Sequence, residues 1–404
     1  MHPSRAALAK LFLSLLLAIA SAGQLWGATP VTCSSPINTQ SQATEYFVSL
    51  AENTHHFAHI SVRFPHATGG ITLNLPVWNA LYQVRDFAAN VENVRATDAS
   101  GRPVAVIHSK TSEWYITAPG PCVVVQYDIH LDNSGPFGAQ LSAEHGFFNW
   151  AMVLMYSPAM RPQGMSLQLL DVPSNWGLAD VHILGEAAAG KVEQTVGVAH
   201  GYDELVDSPA EVGIFQQSEF QQDGATYHIV VHGDPRDYDA GRLQDVVRKI
   251  THAAVDWMAD RPFDEYTFLY HFPRGHVAGG MEHAYGTAID INGERLHSSM
   301  MPVASVSAHE FFHLWNVKRI RPSRGRDRYG GAADRRLRDG RERGDRRRLP
   351  WAGRDRRRRP GESCDVRRSR RSRRGRLPVA ARHGHRSRRL GSRHGDAQGR
   401  AILI

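Results

Sequence analysis

The chain has 404 residues, of which 42% are apolar, and this composition excludes a wholly disordered or collagen-like protein. Its formal net charge of +8 is typical of a nucleic-acid binder, but the charge is unevenly distributed. Residues 1–322 contain 19 Lys and Arg against 31 Asp and Glu, whereas residues 323–404 contain 29 Arg, no Lys and 9 acidic residues. The positive charge therefore belongs to the C-terminal segment, and the body of the chain is acidic.

The first 22 residues have the pattern of a secretory signal peptide. Arg5 and Lys10 precede an apolar run at 11–20, and small residues follow at 20–22. The run is too short to span a bilayer, which needs roughly 20 residues. The sequence predicts cleavage after residue 22, a flexible leader at 23–43, no later transmembrane span, and export to the periplasm or the extracellular space. An uncleaved anchor or a buried first helix is the alternative.

The chain contains three cysteines, and none of them has the Cys-x-x-Cys spacing of a metal or redox site. In an oxidising compartment Cys33 and Cys122 can pair. Two thiols without a spacing pattern do not decide the question, and both the paired and the free form stay open.

Short β-type runs follow one another through the first half of the chain. Residues 46–50, 58–62, 71–75 and 122–127 are examples, separated by Gly, Pro and Asn. This pattern predicts an antiparallel β-sandwich over residues 44–215.

The hydrophobic period changes in the second half. Apolar residues recur at helical spacing over 243–258, a strand is expected at 267–272, and a second helix at 303–317. The sequence therefore predicts a multidomain chain, in which an incomplete α+β catalytic domain occupies residues 216–322.

The segment 323–404 is rich in Arg and has no sustained helical or strand period. One interpretation is a polyanion-binding arm, because clustered cations release counterions from phosphates. Natural basic arms mix Lys with Arg, however, and a GC-rich coding sequence read out of frame gives Arg, Gly, Asp and Ala without Lys. We favour a frameshift product that is disordered, and we expect no specific nucleic-acid binding.

The motif that carries chemistry is His-Glu-x-x-His, at residues 309–313. On a helix, side chains four residues apart lie on one face, so His309 and His313 can bind a single Zn²⁺ ion. Glu310 is then placed to take a proton from a metal-activated water as the general base. The alternative is two histidines on an ordinary amphipathic helix.

A second motif precedes it, Gly279-Gly280-Met281-Glu282-His283. Glycines let a backbone approach a ligand closely, and in a zinc peptidase such a strand lines the substrate groove. We therefore predict that residues 279–282 bind substrate and that Glu282 faces a substrate ammonium. A plain glycine turn that enters a strand is the alternative.

The two motifs together resemble the glycyl aminopeptidase family of zinc metallopeptidases. The resemblance extends from 309–313 through residues 314–322, and it includes segments 75–78, 84–88 and 145–149 of the amino half. It implies a thermolysin-like catalytic domain, one zinc ion held by His309 and His313, and removal of small N-terminal residues such as Gly or Ala from peptides.

The chain departs from the family pattern after Pro322. The family takes a third zinc ligand from a Glu on a following helix and carries a C-terminal PDZ-like domain. The tail offers only Glu342 and Glu362, and the neighbours of Glu342 form no amphipathic helix, so neither is assigned as a ligand. We therefore expect an inactive product, with Phe311, Phe312 or Trp315 exposed where the missing helix would pack.

Three functions remain as hypotheses. The first is an exported zinc aminopeptidase, and the second is a non-catalytic protein that binds a partner through its β-sandwich. The third is a polyanion-binding protein that acts through the tail. Zinc stoichiometry separates the first from the second, and salt-sensitive nucleic-acid retention tests the third.

Overall fold

The structure is a computed structural model, and it describes residues 31–34, 44–77, 84–275 and 278–320. The predicted signal peptide, most of the leader, Trp78 of the family resemblance, and the Arg-rich segment with Glu342 and Glu362 lie outside the described residues. In the described part of the chain, no helix is both long enough and apolar enough to cross a membrane.

The N-terminal part is built almost entirely from strands, with one short helix, α1 (Tyr202–Val206). Its strands are β1 (Thr44–Glu52), β2 (Phe57–Phe64), β3 (Ile71–Asn74), β4 (Val91–Asp98), β5 (Pro103–Val104), β6 (Val106–Lys110), β7 (Glu113–Ile116), β8 (Val123–His130), β9 (Asp132–Asn133), β10 (Ala139–Leu141), β11 (His145–Phe148), β12 (Met165–Leu170), β13 (Gly177–Asp180), β14 (Glu186–Ala187), β15 (Val196–Ala199) and β16 (Ala210–Gly213). The predicted β character is confirmed, and the four example segments lie mainly in β1, β2, β3 and β8.

These strands form three sheets around one hydrophobic core. The seven-stranded sheet has the order β15-β12-β1-β2-β8-β4-β5, the six-stranded sheet β14-β13-β16-β11-β10-β9, and the small sheet β3-β7-β6. Buried apolar side chains from all three sheets belong to the same core, among them Val48, Leu73 and Val212. Burial of these side chains stabilises the fold by about 1.5–3 kcal/mol each.

The expectation of a purely antiparallel domain is wrong at one pair of strands. β1 pairs antiparallel with β2 but parallel with β12, in the register Thr44↔Met165. Local hydrophobic alternation does not encode the direction of a partner that is far away in sequence. That direction depends on the path of the intervening chain through the other sheets.

A disulfide joins Cys33 to Cys122, with the two Cα atoms 6.1 Å apart. It fixes the leader against the residue that precedes β8. Close by, the Arg63 guanidinium donates a hydrogen bond to the carbonyl of Thr32 at 3.0 Å and forms a buried ion pair with Glu45. The bridge and these contacts together hold residues 31–34 on the seven-stranded sheet.

Reduction of this disulfide is expected to lower the free energy of unfolding by about 2–4 kcal/mol, because the bridge restricts a long loop in the unfolded chain. Urea unfolding with and without a reductant measures the change. The double variant C33A/C122A is the control, since a reductant should not alter its midpoint. Equal midpoints for oxidised and reduced wild-type protein would contradict the expectation.

The second part of the chain is a mixed α/β unit. It contains β17 (Gln216–Gln222), β18 (Ala225–Gly233), α2 (Ala240–Met258), β19 (Glu265–Phe272), β20 (Ala278–Glu282), β21 (Gly286–Ile291) and α3 (Met301–Phe312). The five-stranded sheet has the order β17-β18-β19-β21-β20, with β18, β19 and β21 parallel and the two edge strands antiparallel to their neighbours. Its core is separate from that of the N-terminal part.

Helix α2 follows the predicted apolar spacing. The Asp239 side chain caps its first turn by accepting a hydrogen bond from the Arg242 N–H at 2.9 Å, and Ala259 ends it in the left-handed region with φ of +48°. Leu243 and Val247 are buried against the sheet, and the helix also packs against α3.

Helix α3 differs from its predicted range. It begins at Met301 with Pro302 in its first turn and ends at Phe312, so the prediction of a helix through Val317 is wrong at the C-terminal end. Val317 has a φ of +110°, which no residue of a right-handed helix adopts. Residues 313–320 form turns instead, and the Trp315 indole donates a hydrogen bond to Asp260 at 3.0 Å.

The two parts of the chain are in contact through their sheets. Phe147 on β11 and Ala179 on β13 form a small buried cluster with Val230, Leu269 and Ala288 of the five-stranded sheet. The six-stranded sheet therefore packs on the five-stranded sheet. Helices α2 and α3 pack on each other, and α3 also packs on β20 and β21.

Candidate metal centre and active site

The rotation of α3 about its axis is fixed by its buried face. Val303, Ser307, Glu310 and Phe311 are the buried residues of the helix, at the spacing of one helical face. The Ser307 hydroxyl lies 2.7 Å from the Tyr270 hydroxyl of β19, and the Phe311 ring packs among the aromatic rings of the core. The histidines of the motif consequently lie at the border between this face and solvent.

The two motif histidines point at one position. Their Nε2 atoms are 3.1 Å apart. His313 is the residue after the last turn of α3, but its backbone stays in the right-handed helical region, so the four-residue spacing still places both rings together. The His313 Nδ1–H group donates a hydrogen bond to the Asn316 carbonyl at 3.0 Å, which leaves Nε2 with its lone pair.

The protonation state of His309 favours metal binding. Burial and the neighbouring His313 lower the pKa of His309 below its ordinary value. A neutral imidazole is the form that ligates a metal ion, so the lowered pKa favours metal binding by His309.

Glu310 is the most buried ionisable group of the motif. Only 5% of its surface is exposed, and burial together with the nearby Glu282 raises the pKa of its carboxyl to about 8. A Cβ atom on Gly280 would lie 2.6 Å from the Glu310 carboxyl carbon, so only glycine fits beside this side chain. A cation at the two imidazoles would lower the pKa again and restore the carboxylate.

Strand β20 presents the second motif along the edge of the sheet. It pairs with β21 on one side and ends the strand order on the other. Successive residues of a strand face opposite sides, so Gly280 and Glu282 lie on the face toward α3. Glu282 influences the titration of both Glu310 and His309, which places its charge near the metal position.

The other two predicted substrate residues face the N-terminal part of the chain. Gly279 lies next to the Phe137 ring, at 3.6 Å from the position of a Cβ atom, and the Met281 sulfur accepts a hydrogen bond from the Asn149 amide at 3.4 Å. The structure thus brings Gly280 and Glu282 to the motif histidines and places Gly279 and Met281 between the domains. The predicted role of all four in substrate binding stays a prediction.

His309 and His313 supply two of the ligands that a zinc ion needs. His309, Glu310 and His313 form a group whose possible ligand atoms lie within 4.8 Å of one another. The buried Glu310 is the residue to which the resemblance gives the role of base. A separate third ligand was expected beyond Pro322, and this stretch lies outside the described residues.

The structure adds a positioning residue that sequence reasoning missed. Asp207, directly after α1, accepts hydrogen bonds from His283 Nδ1 at 3.1 Å, from the Ala284 N–H at 3.2 Å and from Lys318 Nζ at 2.9 Å. It therefore ties the end of β20 to the turns that follow α3. The histidine of the glycine-rich motif was a signal for such a partner, but nothing in the sequence pointed to Asp207.

Asp207 is also expected to make stability depend on pH at the acid end. Burial alone would raise the pKa of Asp207, but Lys318 and His283 outweigh it and lower the pKa to about 2. Because the unfolded pKa is about 3.9, this group should contribute about 2 kcal/mol above pH 4, and the contribution disappears as the pH falls toward 2. Urea unfolding at pH 7 and pH 3 should show a smaller difference for D207N than for wild type. An unchanged difference would contradict the assignment.

The expected exposure of aromatic residues around α3 is wrong in two of three cases. Phe311 is fully buried and Trp315 is 3% exposed, because both pack into the core of the five-stranded sheet. Phe312 is half-buried and stacks on Trp257 of α2, which is itself 74% exposed. The described part of the domain thus closes its own core.

Comparison with known proteins agrees with this geometry. Residues 45–214 match the Peptidase M61 N-terminal domain, and residues 303–329 match the M61 glycyl aminopeptidase. Both matched models describe the peptidase family that the sequence motifs resemble. The second match contains the His309–His313 pair, and the first covers the β-rich part of the chain. No curated protein sequence matches the chain significantly.

Solved structures extend the M61 comparison at the level of fold. An aminopeptidase N family protein from Idiomarina loihiensis is similar with a TM-score of 0.64 and 24% identity, over 69% of this chain and 49% of that protein. The chain thus spans about half the length of that relative. A variant of an M1 zinc metallopeptidase from Deinococcus radiodurans has a TM-score of 0.38 and 14% identity, over 67% of this chain and 64% of that protein, which is too weak for an argument.

Proposed function

We propose that the chain contains the active-site half of an exported zinc aminopeptidase that removes small N-terminal residues, Gly or Ala, from peptides. The observation that carries the proposal is the pair of Nε2 atoms 3.1 Å apart, with the buried Glu310 beside them and the Gly280–Glu282 strand opposite. The match of residues 303–329 to the M61 glycyl aminopeptidase supports the preference for small residues.

Each residue has a distinct task in this proposal. His309 and His313 would hold the zinc ion, which when bound polarises the scissile carbonyl and acidifies a water molecule. Glu310 accepts the proton of that water and passes it to the leaving amine. Its enclosure by Gly280 holds the carboxylate in one orientation.

Strand β20 supplies the substrate contacts. Its unpaired edge, in the described part of the sheet, offers main-chain groups to an extended peptide. The Glu282 carboxylate on the same face as Gly280 would bind the free ammonium of the substrate. Because this charge pairing needs the ammonium, we expect the enzyme to require a free N-terminus on its substrate. The zinc-motif helix α3 beside the edge strand β20 is the arrangement of a thermolysin-like domain.

Whether the 404-residue product is active is a separate part of the proposal. Zinc catalysis uses three protein ligands and an open position for water, and we assign only two ligands in this chain. We therefore propose that the product is inactive as it stands. Export is supported by the signal-like residues 1–22 and by the Cys33–Cys122 disulfide, since such bonds persist in oxidising compartments.

The proposed role of Glu282 gives a test of substrate binding. In a chain whose reading frame is corrected after codon 322, E282Q should lower kcat/KM for glycyl and alanyl substrates about 10- to 100-fold, mainly through KM, because a charge-assisted bond is worth about 1.5–3 kcal/mol. Steady-state kinetics with an alanyl anilide measures the change.

The control for this test is E294Q, which makes the same change at an exposed carboxylate after β21. It should leave both kinetic constants as they are in the frame-corrected chain. An E282Q variant with an unaltered KM would remove Glu282 from the substrate site.

A further inference from the structure

A second group of imidazoles and carboxylates lies between the two parts of the chain. His145 on β11 and Glu211 on β16 belong to the six-stranded sheet, and His271 belongs to β19 of the five-stranded sheet. The three residues are 7%, 1% and 4% exposed. We name them the interface cluster. None of them belongs to the zinc motif or to β20.

We propose that the interface cluster is a second metal site, which binds one divalent ion of the zinc class and joins the two sheets. His145 Nδ1 lies 2.8 Å from Glu211 Oε1, and His271 Nε2 lies 3.1 Å from Glu211 Oε2. The possible ligand atoms are within 4.8 Å of one another. Ligand atoms about 2.0–2.2 Å from a tetrahedral zinc ion are about 3.3–3.6 Å apart, so the two contacts to Glu211 need to lengthen by only about 0.2–0.8 Å to admit the ion.

The groups around the cluster are those that support metal ligands. The Asp290 carboxylate lies 2.9 Å from His271 Nδ1, so it can hold that nitrogen protonated and direct Nε2 at the ion. The Gln140 side-chain amide lies 2.9 Å from His145 Nε2. With its carbonyl oxygen turned toward this nitrogen, Gln140 does the same for His145, because an amide can present either end.

The charges of the cluster also favour a divalent cation. Glu211 and Asp290 are both buried, and both carboxylates converge on His271. Buried carboxylates are costly unless positive charge compensates them. A divalent ion would supply a charge of +2 to balance both of them.

A third histidine, His232, completes the surroundings without being a ligand. Its ring stacks on that of His145, with centroids 3.7 Å apart and planes 9° from parallel. Two rings stacked in this way cannot both direct a lone pair at the same ion. The ligand set is therefore two nitrogens and one carboxylate, and the fourth position is open for water.

The open side of the cluster leads into a cavity of about 470 Å³. His145, His232 and His271 line it together with Ser134 and Arg274. An ion can thus enter from solvent, and water can complete its coordination. Since the ligands come from both sheets, binding should hold the N-terminal part against the catalytic part and raise the unfolding temperature.

The experiment uses the full chain with the zinc motif removed, as the double variant H309A/H313A. After metal stripping and dialysis against zinc, we expect about one bound equivalent per chain, and two for the wild type. Adding E211Q should remove the remaining equivalent and abolish the rise in unfolding temperature with zinc. E204Q is the matched control, because Glu204 is partly exposed and lies 2.8 Å from His200 and 3.3 Å from His182; it should retain the equivalent.

The outcomes separate this inference from the proposed function. One equivalent in both wild type and double variant supports the interface cluster and contradicts zinc retention by His309 and His313 in the 404-residue chain. One equivalent in wild type and none in a folded double variant overturns the interface cluster, as does zinc binding that E211Q leaves unchanged. If E211Q misfolds, cobalt bound to the double variant decides: visible ligand-field bands of four- or five-coordinate cobalt are expected, and a spectrum of hexaaquo cobalt overturns the site.

Discussion

Replacement of Glu310 by glutamine is expected to lower the turnover of glycyl and alanyl substrates by about 10²- to 10⁴-fold, which is the usual contribution of a general base. The amide keeps the shape of the side chain but cannot accept the proton of the attacking water. Because the Gly280 backbone encloses this side chain, the amide has no room to turn away. The measurement is kcat in a frame-corrected chain, with and without E310Q.

The zinc content of E310Q shows whether the loss of turnover reflects the missing base or a missing metal ion. Zinc should stay bound in E310Q, since the two imidazoles that meet at 3.1 Å are unchanged. A matched change at the exposed Glu294 should preserve both zinc and turnover. If E310Q kept the turnover of the parent chain, the base would have to be another group, and the proposed division of roles would be wrong.

The local parts of the fold followed from the sequence. The apolar spacing over 243–258 predicted α2 within three residues of its start, because a helix face repeats every 3.6 residues. The end of α3 was missed for a reason that is not local. Val317 adopts a φ of +110° in a turn whose neighbours are bonded to Asp260 and Asp207. These partners come from distant parts of the chain.

In the candidate site, too, the sequence predicted the local geometry but not the contacts with distant parts of the chain. The spacing of His309 and His313 predicted that both rings share one position, and this geometry is a property of a single helix. Two other features depend on how β20 and α1 pack against that helix. They are the enclosure of Glu310 by Gly280 and the hydrogen bonds that Asp207 accepts from the end of β20. Sequence spacing contains no such packing, so the glycine motif predicted a strand near the metal with Glu282 facing the site, but not that Gly280 would enclose Glu310.

The interface cluster could not be predicted from the sequence. Its three members come from β11, β16 and β19, and each histidine read alone is a common residue of a β-strand. Only the pairing of β11 with β16 and the packing of two sheets bring them together. A motif search detects ligands on one helix, whereas a site assembled from three strands needs the tertiary structure.

A second large effect is expected from the segment after Pro322. The 404-residue chain should hydrolyse a glycyl or alanyl substrate more than about 10²-fold more slowly than a chain whose reading frame is corrected near codon 322. Loss of an outer-shell partner alone costs about 10- to 100-fold at a zinc site, and here a direct ligand is at stake. Side-by-side hydrolysis at equal zinc concentration, with and without a chelator, measures the difference.

The fold itself should not be the cause of this difference. Phe311 and Trp315 are buried within the described residues, so the 404-residue chain should unfold cooperatively, and its inactivity should reflect the metal site. Its zinc affinity should be lower than that of the corrected chain, because two imidazoles replace three ligands. Equal and chelator-sensitive rates from both chains would mean that residues 323–404 supply the third ligand, and the frameshift interpretation would then be wrong.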